Sequence, residues 1–494
     1  MTKLKNSALL TVLFVLSACS SGPKEPDIAL TYNRIAAAES PDRNPVIVIP
    51  GILGSNLKDI RTDQPVWGAF VAGAADPQTD EGLKLITAPY IYPDGSLTNW
   101  SHVVPDGALT EVRVELLGIP LKVAAYAQLV SALGAGGFRE FQVGESNAEL
   151  YDNPHYNAFQ FDYDWRLSNA DNAAKLFDFV QEVRDRVARD YEQKFGIEDR
   201  DIKVDIVAHS MGGLLTRYML RYGKQGLPED GSDPVLNWSG THGVERVILV
   251  GTPNAGSAQA LNELIEGKNY GWPFLPYYNQ AVLGSFASLY QLLPRDRHNV
   301  VTLKNGEALG SLYDIETWER YQWGLMNPKM QKTYRRLFPE IEDAAELKAV
   351  VHNTLETHLE NARRFSRALD IPASPPDHII LNLVLGDVDL TTRTIEYDAE
   401  KDKLRVLEEV PGDGVVPRYS ALMDEREDGN SATWTPRLRS PIDFDSVVIL
   451  PYEHINLTQS KVFIDNLLYW LLVEPRAVDK KVPSSDAPEV CSCQ

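Results

Sequence analysis

Cysteine is almost missing from this chain. Across 494 residues it occurs only at Cys19, Cys491 and Cys493, so no disulfide framework can staple a core. Cys491 and Cys493 stand two apart in a polar tail, too close for an unstrained bridge and without the histidines of a zinc site. No triplet of His, Asp or Glu has metal-ligand spacing, and no metal or other cofactor is expected. Positive charge is also short. Lys and Arg number 48 against 69 Asp and Glu, for a formal net charge of -21. Such a surface repels polyphosphate chains and anionic headgroups within a Debye length, which excludes nucleic acid as a partner. Apolar residues at 44% and charged residues at 24% are ordinary for a folded protein. The length would hold two or three average domains, but α/β chains with insertions also run this long as one.

Long apolar runs are scarce as well. The run from Ala8 to Val15, behind Lys3 and Lys5, is too short to span a bilayer and reads as the centre of an export signal over residues 1–18. It closes on Leu16-Ser17-Ala18-Cys19, which resembles the lipobox of bacterial lipoproteins. That resemblance implies a lipidated Cys19 as membrane anchor, and Ser20 behind it implies the outer membrane of the cell envelope. Residues 19–44, with Pro23, Pro26 and Pro41, read as a tether. The fold is expected over residues 45–474, with a polar tail at 475–494.

The chain is organised around Lys203 to Leu215. Ile202, Val204, Ile206 and Val207 read as a buried strand, and Leu214, Leu215, Tyr218, Met219 and Tyr222 recur at helical spacing after it. Between them stands Ala208-His209-Ser210-Met211-Gly212, a nucleophile elbow with Ala208 in place of the first glycine. The turn from strand to helix leaves almost no room two residues either side of the serine, and alanine adds one methyl only. Ser210 is thereby exposed at a helix N-terminus, where N–H groups favour developing negative charge.

Around the elbow, strands are expected at Val46–Ile49, Val112–Leu117, Val247–Val250, His378–Leu385 and Val447–Leu450. A long amphipathic helix is expected over Ala173–Tyr191, and a closing helix over Leu457–Leu472. Strand and helix in alternation argue a mostly parallel sheet with helices on both faces, an α/β-hydrolase fold. Two segments interrupt it. Residues 58–108 are irregular and read as an insertion rather than a core element. Residues 258–376 read as a cap, with a helix near Ala344–Leu369 and an aromatic cluster from Tyr270 to Tyr278 that either lines an acyl pocket or packs the cap. Thr392–Tyr397 and Leu404–Glu409 read as a hairpin.

A serine hydroxyl needs a base in hydrogen-bond reach, and the base needs a partner fixing its tautomer. His454 follows the last strand, and Asp413 lies between Gly412 and Gly414 in a tight loop. Asp387 competes for the acid role, being nearer its strand end. Pro50-Gly51-Ile52-Leu53-Gly54 follows the first strand as the loop that supplies one oxyanion N–H in such folds, and the residue after the nucleophile supplies the second. Ile52 and Met211 are the candidates, with Leu53 the alternative to Ile52.

Six stretches resemble the lecithin:cholesterol acyltransferase family, which includes lysosomal phospholipase A2: Val48 to Leu57, Tyr163-Asp164-Trp165-Arg166, the elbow, Ser288 to Pro294, Gly412 to Pro417, and His454 to Leu457. The resemblance implies Ser210, Asp413 and His454 as the catalytic triad, a structural role for the Asp164 and Arg166 pair, a lipid ester as substrate and an alcohol as a second acyl acceptor beside water. The 58–108 insertion has no cysteine, whereas animal members staple theirs. Two other readings fit the same residues: an esterase acting on soluble esters, and an envelope lipoprotein that binds lipid without catalysis.

Overall fold

A computed structural model describes residues 42–474 apart from 71–74, 100–101, 109–110, 117–118, 125–128, 130–132, 135–139, 142–156, 270–276 and 427–438. The export signal, Cys19, most of the tether, the expected tail, and most of the aromatic cluster lie outside the described residues.

Seven parallel strands form the central sheet: β1 (Val46–Ile49), β2 (Glu140–Phe141), β3 (Ala158–Gln160), β4 (Val204–His209), β5 (Val244–Val250), β6 (Ile380–Gly386) and β7 (Ser446–Leu450), in the spatial order β7-β6-β5-β4-β1-β3-β2. The inner strands β1, β4, β5 and β6 lack the polar alternation of a sheet with one wet face, because both their faces are covered, whereas the edge strand β7 leaves Val447 and Ile449 exposed. Successive side chains divide between two cores. Ile47 and Ile49 join the core under α1 (Asn169–Phe195) and α2 (Met211–Tyr222), while Val46 and Val48 join the one under α5, the helix Lys461–Leu472. This is the α/β-hydrolase architecture, with the elbow on the central strand β4.

Local chemistry sets the helix ends. Ser168 caps α1 by accepting from Ala170 N at 3.2 Å, and Gly196 ends it in the left-handed region at φ 65°. The closing helix is broken: a 3-10 turn at Asn456–Gln459 precedes α5, because the Ser460 hydroxyl accepts from Phe463 N at 3.1 Å and starts a new helix. Two further helices bear on the site, α3 (Ala258–Glu266) and α4 (Ala344–Asp370). The hairpin strands run longer than their apolar residues suggest, Asp389–Asp398 against Lys403–Gly412, and Val301–Leu303 adds a third strand.

The 58–108 segment differs from its reading as a piece outside the core. Ser55–Asp59 pairs antiparallel with Pro65–Trp67 and Val103–Ala108, and Val66, Trp67, Leu83, Ile86 and Tyr90 are buried in the larger core. Its apolar residues come from a three-residue strand, from turns and from a helix of about two turns, Asp80–Ile86, each too short for periodicity to register. The buried Arg166 guanidinium fastens it, donating to Leu85 O and Ile86 O at 2.8 and 3.0 Å while pairing with Asp164 at 2.7 Å. Among the described residues, no helix is long and apolar enough to cross a membrane.

Candidate active site

Ser210 sits at φ 54°, ψ -127°, a conformation a non-glycine residue adopts at a cost of about 1–3 kcal/mol. Two bonds hold it there: Ser210 N donates to Val250 O at 2.7 Å, and Gly213 N donates to Ser210 O at 3.0 Å. The elbow packs tightly against the loop after β1. A side chain at Gly51 would begin 2.7 Å from Ser210 Cβ, and one at Gly212 would begin 2.5 Å from Pro50 O.

The structure brings the serine, histidine and aspartate together. Ser210 Oγ stands 2.9 Å from His454 Nε2, and His454 Nδ1 stands 2.7 Å from Asp413 Oδ2. A carboxylate only accepts, so Nδ1 carries the proton and Nε2 is left to accept from the serine. Val415 N and Val416 N donate to Asp413 Oδ1 at 3.0 and 2.6 Å, and His454 N donates to Asp413 O at 2.9 Å. The acid and the base are therefore fixed by backbone as well as by each other. Asp387 is elsewhere engaged, accepting from Arg418 Nη1 at 2.6 Å.

His209 was legible only as part of the elbow. Its Nε2–H donates to His454 O at 3.1 Å, and the two rings lie 4.8 Å apart. Burial first, and the adjacent His454 ring second, push its pKa down to about 3, which keeps it neutral beside the base.

The loop after β1 closes with Gly54 N donating to Gly51 O at 3.0 Å, placing Ile52 and Leu53 at its tip, with Leu53 at φ 64°. Three buried aromatic donors tie its carbonyls back. Tyr163 Oη donates to Pro50 O at 2.9 Å, Trp67 Nε1 to Leu53 O at 2.8 Å and Trp165 Nε1 to Ser55 O at 3.1 Å. Among the described residues no acceptor takes the Ile52, Leu53 or Met211 N–H, and Met211 opens α2. Trp67 and Tyr163 gave no sign of this role in the sequence, since nothing local marks which carbonyl a distant ring will meet.

A cleft of about 340 Å³ runs from Ser210 and His454 past Ile52 and Leu53. Leu283, Phe286, Leu289 and Leu292 give it an apolar wall, and their three-residue spacing was the available signal. The expected aromatic cluster is not part of the described lining. Tyr278 packs edge-on against Trp67 with ring centroids 6.0 Å apart, and Tyr277 is exposed, donating to Glu266 O at 2.5 Å. Tyr270, Trp272, Phe274 and Leu275 lie outside the described residues.

The family model described as lecithin:cholesterol acyltransferase matches residues 153–374. The "Uncharacterized protein YJR098C" of Saccharomyces cerevisiae is 25% identical over 317 residues, covering 63% of this chain and 39% of that protein, so the chain spans about two fifths of that relative's length. Among solved structures, the Tle4-Tli4 complex aligns over 87% of this chain and 98% of its own, with TM-score 0.49 and 14% identity. Lipase 1 from Pelosinus fermentans aligns over 88% and 99%, with TM-score 0.35 and 13% identity. Phospholipase PlaB from Legionella pneumophila aligns over 72% and 58%, with TM-score 0.30 and 15% identity. Over residues 153–374, which hold Ser210 and stop short of Asp413 and His454, the chain resembles the lecithin:cholesterol acyltransferase family by that family's own model.

Proposed function

We propose that the protein is a lipid acyl-ester hydrolase or O-acyltransferase working through an acyl-enzyme on Ser210. The observation that carries this reading is the hydrogen-bonded chain from Ser210 through His454 to Asp413, opening into an apolar cleft. The family match over residues 153–374 supports lipid-ester chemistry of the acyltransferase or lipase kind.

In this reading His454 Nε2 takes the Ser210 proton as Oγ bonds to the ester carbonyl carbon. The resulting oxyanion meets the Ile52 and Met211 N–H groups, which the tied-back loop and the helix start leave available. The carbonyl reforms as the bond to the leaving alkoxide breaks, and His454 returns the proton to that oxygen. Water or an alcohol then gives its proton to His454, its oxygen bonds to the acyl carbon, and the bond to Oγ breaks with the proton restored. Asp413 holds the imidazole tautomer throughout. Phospholipids or acylglycerols are the proposed donors, and Cys19 the proposed lipid anchor to the outer membrane.

Hydrolysis and transfer share every step up to the acyl-enzyme and differ only in the acceptor. Four large apolar side chains on one wall of the cleft suit the chain of a lipid alcohol as acceptor. Incubating acyl-labelled phospholipid with increasing long-chain alcohol, and resolving free fatty acid from new ester, tests this. Both products are expected, with ester rising as alcohol is added. Free fatty acid alone at every alcohol concentration makes the protein a hydrolase.

A further inference from the structure

One feature of the cleft is out of keeping with an acyl-chain groove. On α3, Gln259 and Glu263 stand one turn apart and both line the cleft, as does Lys268 just beyond the helix. Lys268 Nζ donates to Glu263 Oε1 at 2.5 Å, and Gln259 Nε2 donates to the same oxygen at 2.9 Å. No donor among the described residues reaches Glu263 Oε2. The Lys268 and Glu263 side chains are 24% and 15% exposed. An ion pair withdrawn this far from water contributes little net stability, because desolvation offsets its attraction. The pair and Gln259 thereby form a compact polar patch in an otherwise apolar cleft, placed to meet a polar part of a ligand.

We propose, resting on the lipid-ester reading above, that Gln259, Glu263 and Lys268 form the subsite for the polar head of the lipid. The ammonium and the carboxylate together carry no net charge. They match a headgroup that is itself neutral or zwitterionic, with a phosphate toward Lys268 and an ammonium or hydroxyl toward Glu263 Oε2. A headgroup of net negative charge gains from Lys268 and loses to Glu263.

Each substitution then has a direction fixed in advance. Vesicles containing equal amounts of phosphatidylethanolamine and phosphatidylglycerol with distinguishable acyl labels put both donors on one surface, so attraction or repulsion of the whole protein cancels from the product ratio. Lys268→Met should lower use of the anionic lipid relative to the zwitterionic one by about threefold to tenfold, the scale of one unit charge about 4 Å away under water-like screening. Glu263→Gln should raise it by a similar factor, and the double variant should fall between them. Either single variant alone carries the test. Ratios that stay at the wild-type value, or that move the same way in both variants, overturn the subsite. Ser210→Ala in the same vesicles separates the two layers, since product formation by that variant overturns the catalytic reading instead.

Discussion

Trp67→Phe is the substitution that most sharply probes how the loop after β1 is held. The indole Nε1–H donates to Leu53 O at 2.8 Å, and Trp67 is only 6% exposed. Phenylalanine keeps an aromatic ring against Trp165, whose centroid is 5.4 Å away, but removes the donor. The Leu53 carbonyl then lacks its partner in a poorly solvated place, a cost of about 1–3 kcal/mol. The peptides at the loop tip are free to turn toward another donor, and the Ile52 N–H turns with them. Loss of a whole oxyanion donor lowers kcat by about 10²–10³. Partial misdirection should give a fall of about tenfold to a hundredfold, with KM within about twofold because the apolar wall is untouched. Steady-state hydrolysis of a p-nitrophenyl ester measures both constants, and a thermal melt reads the stability. Tyr163→Phe, which removes the donor to Pro50 O, should act in the same direction. A lower melting temperature with kcat unchanged would refute the reasoning, since the clamp would then serve stability alone.

Asp413→Asn should cut kcat by about four orders of magnitude by losing the tautomer that leaves Nε2 free to accept. Asp387→Asn should stay near wild type, because its carboxylate is spent on Arg418; turnover measurements on the pair decide between the two acids. Burial pushes the pKa of His209 down to about 3 and that of His358 down to about 4. Both are therefore neutral when folded and gain a proton on unfolding below about pH 6.5, so their stabilisation is complete above that pH and is lost as pH falls. Urea melts between about pH 6 and pH 5 should show a loss of about 2–3 kcal/mol per pH unit from the two together, and His358→Gln should remove about half of that slope. Cys19→Ser should move the protein from the outer-membrane fraction to the soluble fraction of a Gram-negative host, and retention with the membrane would show that another part of the chain binds lipid.

What was legible in the sequence follows from how local its cause is. The elbow was readable because a strand, a tight turn and a helix leave their marks within twenty residues, although the room that Gly212 leaves is taken by Ile49 and Pro50 at the distant end of β1. The sheet was readable because β1, β4, β5 and β6 are mostly apolar runs, as strands buried on both faces are, with buried polar exceptions such as Asp205, Arg246 and Asn382. Ser210, Asp413 and His454 could be nominated as candidates from the positions of their loops. Their approach to 2.9 and 2.7 Å depends on strands β4, β6 and β7 lying close in the sheet. The buried residues of the 58–108 segment leave no such local mark, because tertiary bonds from Arg166 and Asn353 hold the segment rather than its own periodicity. The same is true of Trp67, whose function lies in the carbonyl it meets. The closing helix was read as continuous because Ser460 marks a helix start only when its hydroxyl faces Phe463 N.

The central claim is that Ser210 is the acylated nucleophile. Reaction of the purified protein with a fluorophosphonate carrying a reporter, followed by peptide mass analysis, tests it most directly. The account predicts a single adduct on the peptide containing Ser210, loss of ester cleavage in proportion to labelling, and no adduct in Ser210→Ala whose melting curve matches the wild type. Undiminished ester cleavage by correctly folded Ser210→Ala, or an activity-linked adduct on another residue, would contradict it.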